Sequence, residues 1–380
     1  MNIKNTSGEK KILLVANVAK EHVLKFHVPT IKGLVESGWQ VDVACGGAEV
    51  VPFCHKQYHL PIDRSPFKGN IFQGIKDLRT IIEQEHYDIV YCHTEVGGIV
   101  GRLAARRERK NGCKVVKLDH GLYFYKGASW KTWTVHYPID KMLSNITDTF
   151  ITINQEDYTL VNTRFRNCES HVIDGIGVDP SRFVITDREQ IRKKYREEMN
   201  IPQDATVLVY LAELIENKNQ TFLMDAFKLA LAENSNMYLM LAGIDHTDGR
   251  FKAYAEKIGI IDHTLLLGWR SDVNNLYAMA DICTASSIRE GFGLNLVEAM
   301  YCGLPIIASY NRGHATIIRD GENGYLVKLG DSGTFAKRIL ALANDKCLCQ
   351  RFVETAHKEE KKFASDTIVE RLKELLTKQL

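Results

Sequence analysis

An α/β fold with two doubly wound, Rossmann-like domains is the class this sequence predicts, and three observations carry it. Short apolar or β-branched runs alternate with amphipathic helical stretches along nearly the whole chain, the pattern of parallel sheets covered by helices on both faces. The alternation falls into two sets, joined near Gly175-Ile176-Gly177-Val178-Asp179-Pro180, where Gly and Pro suit a hinge. The 380 residues also exceed what one hydrophobic core usually serves.

In the first set, strands are expected over residues 11–18, 40–45, 87–92, 114–119 and 148–154, with helices over 28–37, 71–85 and 98–109. A charged helix over 187–200 follows the hinge. The second set places strands at 206–211, 237–242, 264–268, 281–285 and 305–309, helices at 221–232 and 273–279, and a short strand at Tyr325-Leu326-Val327. An amphipathic helix over 365–380 closes the chain. The expected partition is a first domain over 10–175, a second over 176–362 and a terminal segment over 363–380, with a cleft between the two domains.

The most informative segment is Arg289-Glu290-Gly291-Phe292-Gly293-Leu294-Asn295-Leu296-Val297-Glu298-Ala299-Met300. It follows an apolar strand and reads as a Gly-flanked turn entering a helix. Free backbone N–H groups and the helix dipole then point at one place, which makes an anion site. Glu290 and Glu298 flank that site; carboxylates repel phosphate but suit hydroxyls. Phosphate plus hydroxyls describes a sugar nucleotide. The plainer alternative is a solvated helix face behind an ordinary Gly turn. Downstream, Cys302-Gly303-Leu304-Pro305 ends the helix and Asp320-Gly321-Glu322-Asn323-Gly324 makes a turn.

The stretch from Asp281 to Val327 resembles the donor-binding core of the retaining glycosyltransferases of family 4, whose hallmark is E-G-F-G-x-x-x-x-E-A-M followed by C-G-x-P. Asn295 stands where the family usually has Pro. The resemblance implies a GT-B architecture of two Rossmann-like domains facing a cleft, with the last helix crossing back to the first domain. Val209-Tyr210-Leu211-Ala212-Glu213-Leu214-Ile215-Glu216-Asn217-Lys218-Asn219 resembles the family's V-G-R-L-x-x-x-K-G. Lys218 matches the Lys, while Ala212, Glu213 and Asn219 replace Gly, Arg and Gly.

By resemblance, Lys218 holds the donor diphosphate, and the N–H groups of Leu294 and Asn295, after Phe292, receive the β-phosphate. Gly291 and Gly293 let the backbone approach closely. Glu298 binds the ribose hydroxyls and Glu290 the hydroxyls of the transferred sugar. Arg270, in Gly268-Trp269-Arg270-Ser271-Asp272-Val273, lies in a loop that sits beside the base in the family; a helix-start surface residue is the alternative. Glu213 near a phosphate is repulsive unless it turns away or pairs with Lys218 or Arg270. No Asp-x-Asp pair of the metal-binding kind is present, so neither a metal nor a cofactor is expected beyond a UDP-sugar as substrate.

The first domain resembles a more particular branch, bacterial enzymes that build exopolysaccharide and capsular repeat units. The resemblance is carried by Phe26-His27-Val28-Pro29, His93-Thr94-Glu95, Asp119-His120-Gly121-Leu122-Tyr123-Phe124-Tyr125-Lys126, Tyr137-Pro138-Ile139-Asp140-Lys141 and Ile151-Thr152-Ile153-Asn154-Gln155-Glu156-Asp157. In that branch G-E-L-x-x-N-K-N replaces the general Arg motif, which accounts for Glu213 and Asn219. His120 then meets the donor sugar near the reacting bond, and Phe26, His27, His93 and Lys126 are acceptor contacts. Packed or surface histidines are the alternative. The implied reaction is a front-face displacement moving a hexose or N-acetylhexosamine to a lipid-linked saccharide. Two other readings stay open: a GT-B sugar-nucleotide epimerase, and a catalytically silent partner of another transferase.

Composition bounds these readings. At 45% hydrophobic and 25% charged the chain is ordinary globular protein, and a net charge of +2 singles out no partner. Nine scattered cysteines without a C-x-x-C pair read as free thiols of a reducing compartment. The polar start over 1–11 and the short apolar run over 12–18 fit neither a signal peptide nor a span, so a cytoplasmic protein is expected, peripheral at the inner face of the plasma membrane. Arg102, Arg106, Arg107, Arg109, Lys110, Lys114 and Lys117 read as a basic run that attracts an anionic membrane surface, or as a solvated helix face. Nucleic acid is not expected, since no binding motif is present.

Overall fold

The computed structural model describes residues 10–65 and 69–380; residues 1–9 of the polar start lie outside the described residues. The chain divides into two compact units, residues 1–177 with 365–380, and residues 178–364.

The first unit is built on a seven-stranded parallel sheet with order β3-β2-β1-β4-β5-β6-β7. Its strands are β1 (Lys10–Val18), β2 (Trp39–Gly46), β3 (Lys56–His59), β4 (Ile89–Cys92), β5 (Lys114–Asp119), β6 (Thr149–Thr152) and β7 (Glu169–Val172). The central strands are buried on both faces, as the apolar runs of β1 and β4 require, and in β5 the buried residues include Lys117. Edge strands β3 and β7 escaped the sequence pattern because they are largely solvent-facing and carry mixed polar residues. The helix Ser365–Thr377 packs against Val28–Glu36, so closely that a Cβ on Gly33 would lie 2.4 Å from Val369 Cγ1.

Two local readings are corrected. The helix expected over 98–109 runs from Glu95 to Ala105, capped by Thr94, whose Oγ1 accepts from Gly97 N at 3.2 Å. The basic run is not one face. Arg102 is buried and donates to Asp140 Oδ1 at 2.6 Å, Lys117 is buried beside Asp119 at 3.1 Å, and Arg109 forks onto Asp148. Arg106, Arg107 and Lys110 remain exposed. No helix among the described residues is long and apolar enough to cross a membrane.

The second unit has a six-stranded parallel sheet, order β10-β9-β8-β11-β12-β13. Its strands are β8 (Thr206–Leu211), β9 (Met237–Ala242), β10 (Thr264–Leu266), β11 (Ile282–Ala285), β12 (Ile306–Ser309) and β13 (Tyr325–Val327). In each unit the strand order reverses once, between β1 and β4 and between β8 and β11. Those switch points are where doubly wound sheets open a crevice for ligands.

Candidate active site

In the second unit, the loops after β8 and β11 meet at the switch point. Asn217 Nδ2 donates to Arg289 O at 2.9 Å, Ile288 N donates to Asn217 O at 2.8 Å, and both Ser286 Oγ and Tyr210 Oη donate to Lys218 O. These straps bring Lys218 Nζ to 2.5 Å from Glu290 Oε1, with the two side chains 24% and 16% exposed. A carboxylate four residues before a helix is therefore paired with a cation from the loop after β8, both partly open to solvent.

That helix, Leu294–Tyr301, has no side-chain cap, and the N–H groups of Leu294 and Asn295 have no partner among the described residues. Phe292 is buried against Phe363 and fixes the turn. Gly293 is tightly packed: a Cβ there would lie 3.1 Å from His314 Cδ2. Glu298 lies one helical turn on, where buried Tyr277 donates toward Glu298 Oε2 at 3.1 Å and Asn295 O at 3.0 Å. Burial pushes the Glu298 carboxyl above its ordinary value, and the Tyr277 hydrogen bond pulls partly the other way.

Two expected donor residues sit differently. Arg270 forks onto Asp272, Nε to Oδ1 at 2.8 Å and Nη2 to Oδ2 at 2.5 Å, and Tyr195 Oη also donates to Asp272 at 2.7 Å. Its charge is thus committed at the start of Val273–Met279. Glu213 is exposed and pairs with neither Lys218 nor Arg270, which take Glu290 and Asp272 instead.

In the first unit, Phe26, His27, His93 and His120 come together, joined by His22. Phe26 lies 5.9 Å from His120 and His27 lies 3.9 Å from His93 between ring centroids. His22 reaches the group from a single π-turn, Ala19–Val23, that follows a register shift in β1. Burial holds the imidazoles of His27, His93 and His120 well below their usual range and His22 at about 3, so all four are neutral at pH 7. Lys126 is exposed in the following loop and makes no ring contact with this group. That loop is anchored by Asp119, which accepts from Gly121 N at 2.9 Å, and by buried Asp157, which accepts from Leu122 N at 3.1 Å.

Known proteins share both halves. Residues 191–359 match the family model of glycosyl transferases group 1, and residues 11–154 match that of glycosyl transferase 4-like domains. EpsD of Bacillus subtilis (strain 168), provisionally named a glycosyltransferase, is 40% identical over 96% of this chain and 96% of its own length. This chain belongs to the glycosyltransferases. A second relative, an Escherichia coli enzyme named UDP-Gal:alpha-D-GlcNAc-diphosphoundecaprenol alpha-1,3-galactosyltransferase, is 25% identical over 72% of each chain. Among solved structures, Anabaena HepE with UDP and glucose superposes with a TM-score of 0.79 at 20% identity, covering 97% of this chain and 100% of HepE. WaaG, involved in lipopolysaccharide biosynthesis, gives 0.72 at 15% identity, covering 97% and 99%. The fold is that of GT-B glycosyltransferases.

Departures from the glycosyltransferase motifs have local causes. Asn219 stands in the left-handed region, φ 53°, at the entry to Gln220–Glu233, a conformation Asn tolerates better than other side-chain-bearing residues. Asn295 in place of Pro keeps an N–H that Pro lacks, so the helix N-terminus offers one more donor. The sequence reading missed the loop Asn311-Arg312-Gly313-His314 after β12. Gly313 packs on Glu290 so tightly that a Cβ would lie 2.7 Å from Glu290 Cβ, and Arg312 Nε reaches Glu290 O at 3.4 Å. The signal was available: a short polar loop at the carboxyl end of a Rossmann strand. His22 and Tyr277 were also missed, the first for want of a motif, the second because a mid-helix tyrosine reads as core.

Proposed function

We propose that this glycosyltransferase moves a hexose or N-acetylhexosamine, with retention of anomeric configuration, from a UDP-sugar to a lipid-linked saccharide in bacterial surface polysaccharide synthesis. The observation that carries the reading is the pairing of Lys218, from the turn after β8, with Glu290, in the loop that leads into an uncapped helix N-terminus with Glu298 on the same helix. In this reading Lys218 and the N–H groups of Leu294 and Asn295 take the diphosphate, and Glu290 leaves its lysine partner to grip hydroxyls of the transferred sugar. Glu298, oriented by Tyr277, takes the ribose hydroxyls. The flat guanidinium of Arg270, its fork already used by Asp272, offers a stacking face to the base.

HepE is seen with UDP and with UDP-glucose, and the Escherichia coli relative is named for a UDP-linked donor and a diphosphoundecaprenol acceptor; both favour UDP and a lipid-linked acceptor here. No covalent nucleophile is assigned. The leaving diphosphate helps take the acceptor proton, while the protein positions the partners and stabilises charge. His120 is assigned to the reacting sugar and Phe26 and Lys126 to the acceptor; His27 and His93, expected there too, are buried and back His120 instead. The lipid carrier places the protein at the inner face of the plasma membrane, where Arg106, Arg107 and Lys110 are the available basic residues.

Calorimetric titration with UDP, followed by turnover of a panel of UDP-sugars with a lipid-diphosphate saccharide, tests the reading. The expected result is UDP binding and acceptor-dependent consumption of one UDP-sugar with the anomeric configuration kept. UDP binding without turnover of any donor would point to a silent subunit, and conversion of a UDP-sugar without acceptor to an epimerase.

A further inference from the structure

The histidine group of the first unit holds more than an acceptor contact requires. One ring nitrogen from each of His22, His27, His93 and His120 lies within 4.8 Å of the other three. The six ring-centroid separations run from 3.9 to 6.2 Å. Four imidazoles bound tetrahedrally at metal–nitrogen distances of about 2.0–2.1 Å place their centroids about 5 Å apart, inside that spread. The ligands come from the carboxyl ends of three neighbouring strands: His22 and His27 after β1, His93 after β4, His120 after β5.

A second observation is independent of the spacing. His93 is wholly buried, and neither of its ring nitrogens has a hydrogen-bond partner among the described residues. His120 Nε2 is likewise buried and unpartnered. Buried polar atoms are ordinarily satisfied. Here three imidazole nitrogens within one group are not, while His22 Nε2 and His27 Nε2 face one another at 3.0 Å. Neutral imidazole lone pairs converging on one point are a ligand set for a late first-row divalent ion.

We propose that His22, His27, His93 and His120 bind a single divalent ion of the zinc class, tying together the ends of β1, β4 and β5. The nearest charge opposing it is Lys117, which is held at 3.1 Å from Asp119 and donates to Thr94 O and Leu118 O, so its charge is already compensated. The site is independent of the diphosphate, whose ligands lie in the second unit. An imidazole that ligates through one nitrogen keeps the other as an oriented N–H donor, so a metal-bound His120 can still present a hydrogen bond to a sugar.

The test uses tag-free, full-length protein, stripped with chelator and titrated with Co²⁺. The proposal predicts one equivalent bound, visible d–d bands of tetrahedral strength, and displacement by Zn²⁺. His22→Gln and His93→Gln should each weaken Co²⁺ binding by about 100-fold or more. His22→Gln should leave UDP affinity unchanged, which separates a lost ligand from a lost fold. The proposal is overturned if the stripped protein takes up less than a tenth of an equivalent, or if both variants bind Co²⁺ as the parent does. Thiolate-to-cobalt charge-transfer bands would overturn it too, by assigning the ion to cysteine.

Discussion

The two units place functional side chains at the same point of the same topology and fill it with opposite chemistry. At the β8/β11 switch the side chains are charged, partly exposed and paired, Lys218 with Glu290. At the β1/β4 switch they are neutral and aromatic, four histidines and Phe26, with His27 and His93 buried and His22, His120 and Phe26 half-buried. A parallel sheet whose order reverses leaves a crevice whatever the sequence; the loop residues decide what it takes. Exchangeable ion pairs beside free N–H groups suit a diphosphate and its hydroxyls. Neutral rings suit a sugar face or a soft cation and repel neither.

The largest break in this comparison is expected at Lys218. Lys218→Ala removes the cation proposed for the diphosphate and leaves Glu290 without its partner. Hydrogen bonds from a charged group are worth about 1.5–3 kcal/mol each, and in this reading Lys218 Nζ supplies one to the diphosphate. UDP affinity should therefore fall about 100-fold on calorimetry. Glu213→Ala, an exposed carboxylate without that partner, should change it less than about threefold. Equal losses at the two positions would mean that Lys218 does not hold the donor.

A smaller effect sharpens the role of Glu298. Its carboxyl is raised above 4.5 by burial, and only the ionised form accepts from both ribose hydroxyls. Affinity for UDP-glucose, whose diphosphate stays fully ionised and does not titrate in this range, should fall as pH drops through that raised value. Glu298→Gln should bind weakly and flatten the dependence. A slope kept in the variant would move the titration to another group.

The smallest effect concerns the membrane. With Arg102 and Lys117 buried, Arg109 paired and Lys114 half-buried, Arg106, Arg107 and Lys110 are the exposed members of the basic run left to act. Each is worth about 1 kcal/mol against an anionic surface. Replacing all three with Gln should reduce sedimentation with anionic liposomes at low salt, and the difference should shrink as salt is added. Unchanged sedimentation would leave that segment a solvated turn.

Legibility in the sequence followed burial and motif. Strands β8 and β9 match their expected bounds to the residue, because a buried parallel strand is a near-continuous apolar run ended by a turn, and β5 matches too although Lys117 interrupts its apolar residues. The edge strands β3 and β7 lack that run and were not legible. The basic run misled because spacing along a chain ignores direction: Arg102 points into the unit toward Asp140, and Lys117 lies within a central strand. In the second unit, the Glu290 to Glu298 segment was readable as one device. The straps that bring it to Lys218 were not, since they run through main-chain carbonyls that any residue supplies. His22 was illegible because a π-turn leaves no periodic trace.

The account stands most directly on the division of labour between the two glutamates. Calorimetric titration of Glu298→Ala and Glu290→Gln with UDP, beside turnover of the accepted UDP-sugar, measures it. Glu298→Ala should lose about 2–4 kcal/mol of UDP binding, since hydrogen bonds to charged groups are worth about 1.5–3 kcal/mol each. Glu290→Gln should bind UDP as the parent does, with kcat lowered about 100-fold, or about 2.7 kcal/mol of transition-state contact. UDP affinity unchanged in Glu298→Ala, or turnover near normal in Glu290→Gln, would contradict the assignment of ribose to one carboxylate and transferred sugar to the other.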